Sequence, residues 1–292
     1  MIIAILANCQ GGPIRALLKN HLQDNIEIIE VPPVFTILHD KDKLKQVFED
    51  VKNADYIFMQ PLKERFNEIS LDHIKKHSTA KIVTFPSIIF NGYNPEMISL
   101  KNLKGITLRD FKSDFHDINI IQGYLDNTTP IEMKERILNP NLYSSELVDS
   151  MWYESISLYT QHEKDCDIKT SHLLEINMRH ILFSAMNHPT NMLIEYIGYS
   201  LLKKLNYIGK FKPFISKLLD STHFKTYPSL QKTLQLDNSY ANYSLNSETY
   251  SISEAIGLYY EYYKTLDREI LQENINIALK NPIQKLVLNR KL

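Results

Sequence analysis

Apolar and polar positions follow two different rhythms along this chain, and the rhythm changes near residue 129. Early on, short apolar runs of strand length recur: Ile2–Leu6, then residues 26–31, 54–59 and 80–85. Between them, apolar residues fall at helical spacing, first Ile14, Leu17, Leu18 and Leu22, then Leu44, Val47, Phe48 and Val51. Ser70 offers an N-cap for a third helix over 71–77. Strands alternating with helices of this length predict βαβ units with right-handed crossovers and a mostly parallel sheet. A strand order of 2-1-3-4 places the topological switch point between the first and third strands.

After residue 129 the period is mainly that of a helix. Helices are expected over 130–138, 144–159, 172–186, 192–205, 211–219 and 253–279, the last open to division into two. The polar, Tyr-rich residues 238–251 read as a loop. The fold class is therefore α/β, with a mostly parallel N-terminal sheet flanked by helices and a mainly helical C-terminal part. The expected division is residues 1–128 and 129–292.

Parallel strands bring their C-terminal ends to one edge, where ligands bind in open α/β sheets. The turns meeting there carry Asn8, Cys9, Gln10, Gly11 and Gly12, then Gln60, then Ser87. Pro13 suits the first position of a helix, and the unpaired N–H groups of a first turn attract anions. A thiol at that place has its thiolate favoured by the helix dipole; the alternative is a small buried Cys beneath a strand end. Gln60 reads either as a turn residue bonding the backbone or as an amide orienting a substrate carbonyl or hydroxyl.

Two histidines fall in suggestive places. His116, between Asp114 and Asp117, reads as an oriented acid/base or as a surface or capping residue. His188 precedes Pro189, which biases it out of helical conformation, and Thr190 can cap the helix that follows. Arg179, upstream, is a candidate phosphate ligand or a solvated helix residue.

Composition narrows the function. A formal net charge of −1 provides no basic field for nucleic acid. Two cysteines, Cys9 and Cys166, make no disulfide framework and suit a reducing cytoplasmic setting. No apolar run reaches membrane-span length and no signal peptide is recognisable, so a cytoplasmic protein without a transmembrane segment is expected. No zinc-type Cys/His spacing is present, and no Asp-x-Asp pair lies in a turn suited to a metal. Neither a metal nor a metal-dependent glycosyltransferase is expected.

These residues resemble those of the WcbI-type capsular polysaccharide biosynthesis proteins. The likeness lies in Ala7-Asn8-Cys9-Gln10, where the family usually has Gly-Asn-Cys-Gln. It continues through Ala54-Asp55, Gln60-Pro61, Phe85-Pro86, Gly92-Tyr93 with Pro95, and Phe115-His116-Asp117 with Gly123, to Asn187-His188-Pro189-Thr190. The resemblance implies acyl, chiefly acetyl, transfer from an acyl-CoA donor to a sugar hydroxyl in surface polysaccharide assembly. It also implies a modified α/β fold with added helices. On that reading Cys9, His188, His116 and Gln60 are the catalytic candidates. Asn8, Gln10, Gly11, Gly12, Ser87, Tyr93 and Arg179 are the candidates for holding coenzyme A or acetyl-CoA. The partners would be a small acyl donor and a glycan acceptor, with a homo-oligomer or a capsule-assembly partner as further candidates. Two other readings fit the same residues: an SGNH-like esterase of acetylated glycan, with Cys9 in place of Ser, and a non-catalytic CoA or sugar-nucleotide binding module.

Overall fold

The computed structural model describes residues 1–23, 25–214, 216, 218, 219 and 221–289. The first part is β1 (Ile2–Leu6), α1 (Gly11–His21), β2 (Glu27–Ile29), α2 (Lys41–Val51), β3 (Tyr56–Met59), α3 (Leu71–His77) and β4 (Lys81–Thr84). Every pairing is parallel, as the sequence pattern predicts, and the sheet order is β2-β1-β3-β4. Asp40 caps α2 by accepting the Lys43 N–H. Ser70 precedes α3, but its hydroxyl donates back to the Asn67 carbonyl instead of capping the helix.

The chain continues through β5 (Met97–Ser99), β6 (Phe115–Asp117), α4 (Ile118–Leu125), α5 (Pro130–Leu138), α6 (Ser145–His162), α7 (Ser171–Ile176), β7 (Phe183–Ala185), β8 (His188–Pro189) and α8 (Asn191–Lys204). It ends with α9 (Pro228–Leu234), β9 (Tyr243–Leu245), β10 (Glu248–Tyr250), α10 (Ile252–Lys264), α11 (Arg268–Ala278) and α12 (Pro282–Leu288). Contacts group it into two compact units. One comprises 1–88, 160–173 and 190–218; the other comprises 89–159, 174–189 and 219–292. The rhythm change near residue 129 falls inside the second unit.

In the first unit, Ala4, Leu6, Ile57 and Met59 from the sheet pack with Leu44, Val47, Phe48 and Val51 of α2. Each such side chain contributes about 1.5–3 kcal/mol by leaving water. Helices α1 and α8 also pack together, and a Cβ on Gly198 would lie 2.6 Å from a Leu17 methyl. A side chain there would require Leu17 to shift.

Several local expectations give way. Residues 172–186 are not one helix: α7 ends at Ile176, and β7 and β8 form a tight antiparallel hairpin. The Ser184 hydroxyl donates to the Leu219 carbonyl, tying down β7. The described residues of 211–219 are not helical, and Ile215 and Lys217 of that span lie outside the described residues. Residues 238–251 contain the β9–β10 hairpin. Asn246 and Ser247 both take positive φ (52° and 69°), the backbone a two-residue hairpin turn requires. The 253–279 span is indeed two helices, α10 and α11.

The core of the second unit contains a polar cluster. Asp117 caps α4: its Oδ1 accepts the Asn119 N–H at 2.8 Å, and its Oδ2 accepts the Tyr227 hydroxyl at 2.5 Å. Glu96 is fully buried and faces the charge of Asp117. Burial and that charge together push its pKa well above the carboxylate range, so Glu96 holds its proton.

His116 is also fully buried, among the rings of Phe111, Tyr259, Tyr262 and Tyr263. Burial lowers its pKa to about 3. The folded imidazole thus stays neutral while the unfolded one, near 6.5, binds a proton. Its contribution to stability is full above pH 6.5 and is lost as pH falls from there toward 3. His116→Phe is therefore expected to flatten the acid limb of stability by up to ~1 kcal/mol per pH unit. Urea midpoints measured from pH 7 down to 4 check this. Glu96 has the opposite sign, since its raised pKa costs stability as pH rises above the unfolded value. Glu96→Gln should gain on the parent protein in the same titration as pH increases from 5 to 8.

Candidate functional site

The turn after β1 is held by side-chain amides. Where the sheet ends, the Gln60 N–H still donates to the Leu6 carbonyl at 3.0 Å. Beyond that last rung the amides take over. Gln60 Oε1 accepts the Asn8 N–H at 3.0 Å, and Gln60 Nε2 donates to Asn8 Oδ1 and Gln10 Oε1 at 3.3 and 3.1 Å. Gln10 Nε2 donates to the Ile88 carbonyl at 2.7 Å, and its Oε1 accepts the Ile88 N–H at 3.1 Å. Asn8 Nδ2 donates to Ser87 Oγ, and Asn8 Oδ1 also accepts the Gln10 N–H. The turns after β1, β3 and β4 are thereby joined, as the parallel topology predicts.

Cys9 lies at the top of this lattice, partly exposed. Its own N–H and that of Gln10 favour the thiolate, but burial outweighs them and pushes the thiol pKa up. The sequence-based expectation of a depressed pKa is thus corrected. Helix α1 begins at Gly11, so Cys9 precedes the N-cap Gln10 and lies outside the first turn. The helix start also offers an anion less than expected. The Gly11 N–H donates to the Asn8 carbonyl, the Gln10 N–H is taken by Asn8 Oδ1, and Pro13 has no N–H. A Cβ on Gly11 would meet the Ala7 Cβ at 3.1 Å, so glycine there lets the turn close.

The other sequence candidates separate by burial. Gln60 and Gln10 are 3% and 0% exposed, with their amides committed to the turn. They position Cys9 and present no free group to a ligand. Tyr93 is 1% exposed, ringed by Phe90, Trp152 and Phe183, and its hydroxyl donates to the His180 carbonyl at 2.6 Å. It is a core residue and cannot touch a cofactor. His116, without solvent contact, does not fit the acid/base role. Arg179 is exposed in the turn after α7 rather than on a helix, and its carbonyl accepts the Asp237 N–H. Ser87 and Gly12 retain partial or full exposure.

His188 lies on β8. The imidazole is partly exposed, and its buried Nδ1 has no hydrogen-bond partner among the described residues. Burial lowers its pKa, opposed by the Thr222 backbone and by the charge of Asp114. It is thus a neutral imidazole at pH 7, able to accept a proton. Asp114 is the carboxylate of the Asp114–Asp117 motif that acts on a partly exposed histidine. The sequence pattern assigned it to its near neighbour His116 because only proximity along the chain is visible there. Among the described residues no His/Cys/Asp/Glu group could hold a metal ion, and no helix is long and apolar enough to cross a membrane.

Two measurements probe this site. Gln60→Leu strands the Asn8 N–H and removes the Gln60 donor to Asn8 and Gln10, with an expected cost of about 1–3 kcal/mol in urea unfolding. Alkylation of Cys9 by iodoacetamide should keep accelerating above pH 9 without a plateau at neutral pH. Cys166, buried and pushed up to about 12 by burial and by Glu163, Asp167 and Asp165, should remain unlabelled in the folded protein.

No curated protein matches the chain. A solved structure of WcbI, described as a novel polysaccharide biosynthesis enzyme in a native form without a disulfide bond between coenzyme A and a cysteine, superposes with a TM-score of 0.78. It is 14% identical, and the match covers 98% of each chain, so the likeness is one of fold. The sequence profile of the polysaccharide biosynthesis enzyme WcbI matches residues 2–209, and the chain belongs to that family.

Proposed function

We propose that the protein transfers an acyl group, chiefly acetyl, from coenzyme A to a sugar hydroxyl during assembly of a surface polysaccharide. The observation that carries this reading is the partly exposed Cys9 thiol fixed in the amide-held turn after β1. The fold neighbour is described as a native form without a disulfide bond between coenzyme A and a cysteine, and that pairing of carrier and thiol in its description supports placing an acyl-CoA thioester at a thiol.

In the proposed reaction the Cys9 thiol loses its proton to a base, and the sulfur attacks the thioester carbonyl. The bond to the coenzyme A sulfur breaks, and that thiolate leaves and takes up a proton. The sugar hydroxyl then attacks the cysteinyl thioester, giving an ester and regenerating Cys9. The raised thiol pKa makes a base necessary, because little thiolate exists at pH 7. His188 is the proposed base, since its imidazole is neutral there. The Cys9 N–H, which favours the thiolate, is the turn donor suited to the oxyanion; one such donor is typically worth about 3 kcal/mol in a transition state.

The test is intact-mass spectrometry after incubation with acetyl-CoA and no acceptor, paired with turnover on acetylatable glycans. The parent protein should gain one acetyl group, and Cys9→Ala none, with transfer falling by at least a hundredfold. His188→Ala should lower kcat and remove the acidic limb of the pH profile, with little effect on thermal stability. Transfer by Cys9→Ala at the parent rate would remove Cys9 from the chemistry. Release of acetate from acetylated glycan without coenzyme A would favour the esterase instead.

A further inference from the structure

A basic recess lies within the first unit, away from the amide lattice but built on the same sheet edge. Just past β4, Thr84 grips the segment after α6. Its N–H and hydroxyl donate to Asp167 Oδ2 at 2.7 and 2.8 Å, and its carbonyl accepts the Ile168 N–H at 3.1 Å. This segment forms one wall, with Lys169 and His172 on it. The other wall is one stripe of α8: Tyr196, Ser200, Lys203 and Lys204, spaced a turn apart. Together they enclose about 350 Å³, the size of a small-molecule subsite.

The charge of the recess is lopsided. Three lysines line it against one carboxylate, that of Asp167, which is already bound by Thr84. Lys169 and Lys204 make no ion pair among the described residues, and Lys203 lies 4.5 Å from the centroid of the Tyr199 ring. Like charges gathered without a counter-charge repel one another, and an anion between them relieves that repulsion. The Tyr196 and His172 rings pack edge-on at 5.4 Å, adding an aromatic surface beside the cations. Lysines are point charges suited to phosphate, and an aromatic face suits a nucleobase.

We propose that this recess binds the phosphates of a diphosphate-bearing nucleotide, with its base against Tyr196 and His172. Two sources share that chemistry: the nucleotide end of coenzyme A and a nucleotide-activated sugar. The assignment is independent of the covalent role proposed for Cys9, because either ligand carries the diphosphate whatever the thiol does.

Isothermal titration of the parent and of Lys169→Ala/Lys204→Ala with coenzyme A, adenosine 3′,5′-bisphosphate, UDP-glucose and pantetheine tests it. Both lysines are exposed, so the variant is expected to keep its melting temperature. Loss of each charge-assisted contact costs about tenfold or more in affinity. The double variant should bind at least one of the nucleotides about a hundredfold more weakly, with the parent's affinity falling as salt rises. Pantetheine, which lacks phosphate, should show no difference between the two proteins. Weakening confined to coenzyme A and the bisphosphate identifies the acyl carrier as the ligand, and weakening confined to UDP-glucose identifies the activated sugar. Equal affinity of both proteins for every nucleotide, or no nucleotide binding by the parent, overturns the proposal. A Cys9 variant that loses the acetyl adduct while retaining lysine-dependent nucleotide binding would separate the two readings.

Discussion

The first unit depends on three uncharged amides that finish what the sheet's backbone leaves undone. A parallel strand that ends under a turn leaves peptide groups without partners, and an unmet buried group costs about 1–3 kcal/mol. A carboxamide is the side chain closest to a peptide group, with donor and acceptor a bond apart. Gln10 uses both ends on one residue, Ile88, as a neighbouring strand would. Gln60 does the same between Asn8 and Gln10. Carboxylates in these positions would accept but not donate, and each would bring a charge into a buried place. Neutral amides therefore carry three loop ends at one sheet edge and leave the Cys9 position with little freedom to shift.

This constraint also explains what the sequence disclosed. The parallel pairing and the meeting of three turns at one edge follow from the alternating periodicity of residues 1–85, whereas the strand order is settled by the pairings themselves. Cys9 and Gln60 were legible as neighbours for that reason. Their division of labour was not. A Gln at a strand end looks the same whether its amide faces a ligand or the backbone, and only the hydrogen bonds of Asn8 and Gln10 show that Gln60 is consumed by the scaffold. Tyr93 and His116 misled for a related cause. Both stand beside turn or acidic residues in the chain, yet aromatic packing from Trp152 and Phe183, and from Tyr259 and Tyr263, closes over them. Partners so distant along the chain leave no local signature.

The helical half shows the same limit. Helix α5 was readable because Pro130 and the Thr129–Glu132 capping box mark its start. The 172–186 stretch was misread because Ile181, Leu182 and Phe183 fit a helical stripe as well as a strand, and the hairpin is fixed by residues 219 and beyond. The β9–β10 turn uses Asn246 and Ser247 without a glycine, so the usual hairpin signal is absent.

The raised pKa of Cys9 sharpens what any chemistry at this thiol must look like. A thiolate of low pKa is abundant but a weak nucleophile, whereas one of high pKa is scarce and strong. Burial places Cys9 in the second class. Such a thiol rests protonated, resists casual oxidation, and reacts when a base removes its proton as the electrophile arrives. The same basicity makes the cysteinyl thioester slow to release its acyl group to water. An alcohol acceptor would therefore also need activation before attack. The demand for a base is thus set by the turn itself, through the burial that raises the pKa of its sulfur.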